Sequence, residues 1–336
     1  MKPSIEKIRQ AIDVHGSNRA AARHLGIGEW DVRRALKRAE EDVELEAPAP
    51  EIDVNELIER RKIDFRAKQA SKEYDKLINV KVKTDMPIGL GLFGDWHVDD
   101  DGTDIGRLSN DVDIFSNGQP GLYAGLLGDL YNNWVGKLAR LWAEQSTSAE
   151  EAKALLEEFL QRVNWLFVVQ GNHDAWAGHN NILNYILRNH TKINRPSRAR
   201  ISLNFSNGRS CKIFAAHDFP GKSQWSENYG IMKRALLDGQ FDIYAAGDTH
   251  QSGYSIGTHE GTSRIFHAIR IASYKAYDRY ADELNLQDRA AFSCPVAIID
   301  PNADDLNFVR WELTPEEGAE RLAWMRSRYE RGKTVH

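Results

Sequence analysis

Apolar residues change their spacing twice along this chain. Ile5, Ile8 and Ile12 recur at helical intervals, and Gly16-Ser17 breaks the stripe with Ser17 placed as an N-cap. Residues 19–25 read as a short second helix, Gly26-Ile27-Gly28 as a tight turn, and residues 30–38 as a third helix with Val32, Ala35 and Leu36 inward. From residue 86 the pattern becomes short, near-continuous apolar runs at 88–93, 124–127, 165–169, 212–216 and 242–246. Runs of that length bounded by turn residues predict buried strands. They alternate with helical segments near 134–145, 150–163 and 226–238. Residues 201–206 alternate as a hairpin strand, and Asn207-Gly208 predicts the turn into its partner. Later strands are predicted at 264–271 and 295–299, and an amphipathic helix with Trp324 at 315–331. This order predicts an α/β fold of two packed sheets flanked by helices, preceded by a small all-α unit.

Composition changes the picture between these parts. Residues 39–59 hold nine acidic groups and no basic one around Ala47-Pro48-Ala49-Pro50, which predicts an extended tether. Residues 60–85 predict a basic helical connector, with seven Lys or Arg against three acids over 60–76, and Leu57, Ile58, Phe65 and Tyr74 resting against the larger domain. That domain is expected over 86–312, with a terminal helix and tail over 313–336. The chain of 336 residues is 41% apolar and has a formal net charge of −5. No apolar stretch approaches the roughly 20 residues needed to span a membrane, no amino-terminal signal segment is visible, and two cysteines make no disulfide framework. A cytoplasmic setting is the expectation, and any affinity for nucleic acid must come from local patches.

The strand-like runs end on chemistry. Asp95-Trp-His97 follows the first, and Asp129 the second. Asn172-His173-Asp174 follows the third, His217 the fourth, and Asp248-Thr-His250 the fifth. Loops at strand ends converge on one pocket. In an extended segment Asp95 and His97 point the same way, so both reach one ion. Asp129 is the natural bridging carboxylate between two divalent ions roughly 3.5–4 Å apart. The mixed nitrogen and oxygen set suits Mn2+ first, with iron, zinc, nickel or cobalt as alternatives. Cys211 and Cys294 are not needed as ligands.

These motifs resemble the calcineurin-like metallophosphoesterase superfamily, most specifically in Gly171-Asn172-His173-Asp174 downstream of Gly94-Asp95-Trp96-His97 and Gly128-Asp129. The resemblance implies that Asp95, His97 and His250 hold the first metal, Asn172 and His217 the second, and Asp129 both. The chain departs at Asp248, where that family usually has His; an aspartate there adds negative charge and favours a harder ion. The ligand set implies in-line attack by a hydroxide shared between the metals. His173 then protonates or stabilises the leaving oxygen, with Asp174 either orienting its ring or capping the loop. Lys222 and Trp225 lie on a loop suited to meeting a phosphate and a base. The acidic stretch from Asp99 to Asp113 either recruits metal or is solvated. His179 is a lesser candidate for the outer pocket.

Residues 1–38 carry nine Lys or Arg against four acids. They resemble a helix-turn-helix unit of the Fis or transposase type, chiefly in Ala20-Ala21 followed by Leu25-Gly26-Ile27. Arg33, Arg34 and Lys37 on the third helix suit phosphate contact, and Trp30 or Arg33 a base edge. The combination, together with residues 215–221, looks similar to phosphoesterases of bacterial viruses and prophages. The preferred expectation is a DNA phosphodiesterase or nuclease. The alternatives are a small-molecule or cyclic-nucleotide phosphodiesterase or phosphatase, and a catalytically inactive DNA-binding or scaffold protein.

Overall fold

The computed structural model describes residues 3–40, 53–72, 76–176, 182–277 and 291–334. Two compact units divide the chain, residues 1–71 and 72–336. In the first, α1 (Ile5–His15), α2 (Asn18–Leu25) and α3 (Glu29–Ala39) enclose Ile8, Ala22 and Val32, with Ile12, Leu25, Ala35 and Leu36 half-buried around them. Ser17 caps α2 by accepting the Ala20 N–H at 3.2 Å. Gly16 and Gly26 close α1 and α2 in the left-handed conformation, which only glycine adopts without cost. His15 and His24 lie with ring centroids 4.4 Å apart.

Helix α4 (Val54–Lys72) begins inside the stretch expected to be an extended tether. Asp53 accepts the N–H groups of Asn55 and Glu56, and the acidic residues lie at the amino-terminal end, where the helix dipole favours them. Leu57, Ile58 and Phe65 are exposed. The Pro-containing segment 47–50 and Tyr74 lie outside the described residues.

The second unit contains two mixed six-stranded sheets flanked by helices. One runs β12 (Val309–Glu312), β11 (Val296–Ile299), β2 (Ile88–Phe93), β3 (Leu122–Leu126), β4 (Trp165–Val169), β5 (Asn194–Arg195). The other runs β1 (Ile78–Lys81), β6 (Arg198–Asn204), β7 (Ser210–Ala216), β8 (Ile243–Ala246), β10 (Ile265–Arg270), β9 (Gly253–Thr258). Strands β2 to β5 are parallel, as are β7, β8 and β10. Their carboxyl ends therefore gather on one side of each sheet.

The sheets share a core in which Leu90, Leu92, Phe167 and Val169 face Ile201, Ile213, Ala215, Ile243 and Ile269. Helices α5 (Ile105–Ser116), α6 (Ala149–Arg162) and α10 (Pro315–Thr334) cover the first sheet through Leu108, Val112, Phe115, Leu156, Leu160 and Leu322. Helix α9 (Tyr229–Asp238) covers the second through Ile231 and Ala235, against Phe214, Tyr244 and Phe266. Strand β2 explains how one strand serves two layers. Its Ile88, Leu90 and Leu92 face the other sheet, while Gly89 and Gly91 face helices. A Cβ at Gly91 would overlap the Phe115 ring.

Several boundaries differ from expectation. Strand β1 lies in the expected connector; residues 78–81 form an edge strand because β6 supplies parallel backbone partners. Residues 136–144 are a 3-10 stretch. The acidic segment after His97 is largely structural. Asp104 caps α5, Asp111 accepts the Tyr274 hydroxyl at 2.5 Å, Asp113 pairs with Arg162, and Asp101 binds Ser146. Helix α10, whose role the sequence left open, packs on the first sheet through Leu322 and Gly318. Among the described residues no helix is long and apolar enough to cross a membrane.

Candidate metal centre

All seven predicted donors come together. Asp95 and His97 follow β2, Asp129 follows β3, and Asn172 opens the single turn α7 (Asn172–Ala175) after β4. His217 follows β7, and Asp248 and His250 follow β8. Neighbouring donor loops are joined within each sheet. The Gly247 N–H donates to the His217 carbonyl at 3.0 Å, and the Asp95 N–H to the Gly128 carbonyl at 2.8 Å.

Two groups of donor atoms emerge, each with its members within 4.8 Å of one another. One is Asp95, His97 and His250; the other is Asp95, Asp129 and His217. The carboxylate common to both is Asp95, whereas the sequence points to Asp129 as the bridge. Asp95 leaves a central strand fully buried; Asp129 accepts the His173 N–H at Oδ1, 3.0 Å away, and keeps Oδ2 3.2 Å from His217 Nε2. His97 and His250 approach with Nε2 atoms 3.1 Å apart. His217 Nε2 lies 3.0 Å from Asn172 Oδ1, 3.2 Å from Asp129 Oδ2 and 3.3 Å from Asp248 Oδ1. Asp248 thus stands beside the second group without being one of its three members.

This donor chemistry fits two divalent ions. His217 Nδ1 lies 2.7 Å from the Leu127 carbonyl, which can only accept, so Nδ1 carries a proton and Nε2 is the atom turned to the carboxylates. Burial raises the Asp95 pKa well above its ordinary 3.8, with the Asp129 and Asp248 charges adding to it and His217 opposing. Burial also works against a charged His217. Bonds to Asp129 and Asp248 and the surrounding carboxylate charges outweigh it, and raise its pKa well above 6.5. His97 moves the other way, lowered by burial and by His250, His173 and Lys275. Cationic charge is what this cluster of carboxylates lacks.

Backbone strain concentrates here. Of seven non-glycine residues at positive φ among the described residues, five are donors: Asp95, His97, Asp129, Asp248 and His250. A sixth, Asn133, donates from its side chain to the His173 carbonyl at 2.9 Å. Left-handed backbone costs of order 1–3 kcal/mol per residue and persists only where surroundings over-determine it. The glycines beside the donors permit the crowding: a Cβ at Gly171 would overlap the Asp129 carboxylate, and one at Gly247 that of Asp95.

Of the two roles expected of Asp174, its contacts match capping the loop, and the His173 ring has another partner. Its Nδ1 lies 2.6 Å from the Asn132 carbonyl, and its Nε2 3.9 Å from Asp129 Oδ2. The ring-orienting group is therefore this carbonyl. Asp174 accepts the N–H groups of Asp129, Leu130 and Gly171 at 2.9, 3.1 and 2.8 Å, tying two donor loops together. Burial, reinforced by Asp129, raises its pKa to about 7. Asn132 is held by Asp99, which accepts its N–H at 2.7 Å, and by Asp100, which accepts its side-chain amide at 3.1 Å and pairs with Lys275 at 3.0 Å. Trp134 and Trp176 flank the His173 ring at 5.3 and 4.1 Å.

Asn132, Lys275 and Arg270 escaped the sequence reading. Asn132 lies three residues after Asp129, the one local signal available. Lys222 and Trp225 are exposed and make no hydrogen bond or ion pair with the donors, and His179 lies outside the described residues. On α3, Trp30 is exposed with the Arg34 guanidinium 4.3 Å from its ring centroid. Arg33 pairs with Glu29 at 2.6 Å and Arg34 with Asp31 at 3.0 Å, while Lys37 is exposed. A separate cavity of about 460 Å3 opens at the starting ends of β7, β8 and β10, away from the donors. Its Arg209 and Arg264 are paired with Asp305 and Asp242.

No family model matches the chain, and no curated protein matches it. Solved structures share features at low levels. A Vps29 single mutant from Entamoeba histolytica has 17% identity and a TM-score of 0.36, covering 67% of this chain and 97% of that one. The calcineurin-like phosphoesterase YfkN from Bacillus subtilis has 10% identity and a TM-score of 0.36, covering 73% and 97%. A predicted phosphoesterase from Streptococcus pneumoniae has 11% identity and a TM-score of 0.29, covering 67% and 97%. At these scores the likenesses carry no functional argument.

Proposed function

We propose that this chain is a metal-dependent phosphoester hydrolase of the calcineurin-like kind, with DNA as preferred substrate and Mn2+ as preferred ion. The observation that carries the hydrolase reading is Asp95, one buried carboxylate belonging to both donor groups. Asp95, His97 and His250 would hold one ion. Asp95, Asp129 and His217, with Asn172 and Asp248 alongside, would hold the other. Such a pair supplies an activated water and clamps the charge that develops on a phosphoryl group.

The protein's own groups do the rest. The Nδ1–H of His173 is fixed on the Asn132 carbonyl, which leaves Nε2 facing Asp129 and the centre. A proton carried at Nε2 reaches the leaving oxygen from there. Trp134 and Trp176 restrict water around that ring. Asp174 holds the Asp129 and Asn172 loops at fixed separation. The preference for DNA is supported by the basic surface of α3; its ion pairs are exposed and worth little in water, so phosphates can replace the acidic partners.

The test is a hydrolysis screen with and without Mn2+ against duplex, nicked and single-stranded DNA, cyclic nucleotides and small phosphoesters. DNA cleavage that chelator abolishes is expected. Turnover of cyclic nucleotides alone would move the substrate to the small-molecule class. No Mn2+ binding and no turnover would sink the hydrolase reading.

A further inference from the structure

Arg270 ends β10 and is 1% exposed. A buried guanidinium is held only where it is paired. Its Nη2 donates to Asp218 Oδ1 at 2.9 Å, and its Nη1 to the Gly247 carbonyl. Asp218 directly follows the donor His217, and Gly247 directly precedes the donor Asp248. One side chain therefore clasps both donor loops of the second sheet.

The Gly247 contact has a specific consequence. The Gly247 carbonyl and the Asp248 N–H belong to one peptide unit. That N–H donates to both Asp95 carboxylate oxygens, at 3.0 and 3.2 Å. A chain of hydrogen bonds thus runs from guanidinium through a peptide to the carboxylate shared by both donor groups. Each bond in such a chain polarises the next. The peptide also needs holding, because Asp248 adopts φ 69° and Gly247 lies where no Cβ fits beside Asp95. Neutralising Asp218 alone does not explain the buried cation, since that carboxylate is about a third exposed and can use water.

We infer that Arg270 is a positioning residue for the metal centre: it fixes the Gly247–Asp248 peptide, and through it Asp95, while its charge offsets the extra carboxylate of Asp248. The inference rests on the proposed metal centre, but its first half is measurable without metal.

The experiment uses full-length native protein, Arg270→Met, Arg270→Lys and Arg270→Met/Asp248→His. Amide exchange at Asp248 is followed in metal-free protein, and Mn2+ affinity by calorimetry. In Arg270→Met the Asp248 amide should exchange at least tenfold faster and Mn2+ affinity fall about 10- to 100-fold, the range typical of partners that orient metal ligands. Arg270→Lys keeps the charge but not the two-armed clasp and should fall between. Adding Asp248→His should recover at least fivefold in affinity, because a neutral ligand needs no offsetting cation; a purely structural role predicts no recovery. Unchanged exchange together with Mn2+ affinity within twofold of native overturns the inference, whatever the melting temperature does. If Arg270→Met does not fold, Arg270→Lys decides alone, and native exchange and affinity in it overturn the inference. Native protein that binds no Mn2+ sinks the proposed function instead, and exchange at Asp248 still tests the clasp.

Discussion

His97 and His250 stand 153 positions apart in the chain and bring their Nε2 atoms to 3.1 Å. The loops after β2 and β8, from different sheets, are thereby joined at one donor group with Asp95. If both rings hold the same ion, their contributions are not independent. His97→Ala and His250→Ala should each remove one of two bound Mn2+ ions, and the double variant should lose no more than either alone. Elemental analysis after dialysis measures this. Two ions retained in either single variant would exclude this group as a metal site.

Asp248 meets His217 at 3.3 Å but lies outside both groups of three. Its bond to His217 is the main cause of a lowered pKa, so it is a carboxylate at neutral pH. Asp248→His should raise Zn2+ affinity more than Mn2+ affinity, and Asp248→Ala should weaken the second ion about tenfold. Paired titrations of both ions check this. Identical affinities in native protein and both variants would show that Asp248 is not a ligand.

His173→Ala should lower turnover about 10²- to 10⁴-fold, as loss of a proton donor does, with metal occupancy kept. The loss should shrink for a nitrophenyl ester, whose leaving group needs little protonation. Rates on esters of graded leaving-group acidity, with metal content measured alongside, decide it. A uniform loss would leave His173 an electrostatic or orienting role.

Arg33, Arg34 and Lys37 share α3 with exposed Trp30. Their joint replacement by Ala in the full chain should weaken duplex DNA binding and flatten its salt dependence by about two to three released charges. Hydrolysis of a small phosphodiester should not change. Binding isotherms at several salt concentrations provide the measurement. Unaltered DNA affinity would leave this three-helix unit with a docking or structural role.

Asp111 lies buried against Tyr274, and burial raises its pKa to about 6 from an ordinary 3.8. The fold therefore favours its protonated form. That contribution is fully present below about pH 3.8 and is lost as pH rises through about 6. Asp111→Asn removes the titrating group, so its stability relative to native should improve by at most about 3 kcal/mol between pH 4 and pH 7. Urea denaturation at both values tests this, and a constant difference would contradict it.

How much of this was legible in the sequence varies by element. The run Ile88-Gly-Leu-Gly-Leu-Phe93 announced a buried strand, and Asn207-Gly208 announced the β6–β7 hairpin, because local periodicity and turn chemistry act over a few residues. Edge strand β1 carries no local signal, since its partner β6 lies far along the chain, whereas the 3-10 stretch falls inside the predicted helical segment 134–145. Helix α4 starts at Val54, inside the acidic run, because a run of like charge does not mark where a helix begins.

The sequence by itself determined which residue types end each strand, and so the seven candidate donors, because an apolar run followed by Asp, Asn or His is a local signal. Tertiary structure alone decided how those donors are shared. Asp95 falls in both groups, and Asp129 turns one oxygen to His173, because loops from two sheets meet at angles no spacing records. It also decided that the His173 ring leans on the Asn132 carbonyl and that Asp174 ties loops. Backbone carbonyls and N–H groups are the same at every position, so a pattern of side chains cannot show which become partners. Arg270 is the clearest case: one arginine among many in the sequence, it became distinctive only once folding buried it between two donor loops.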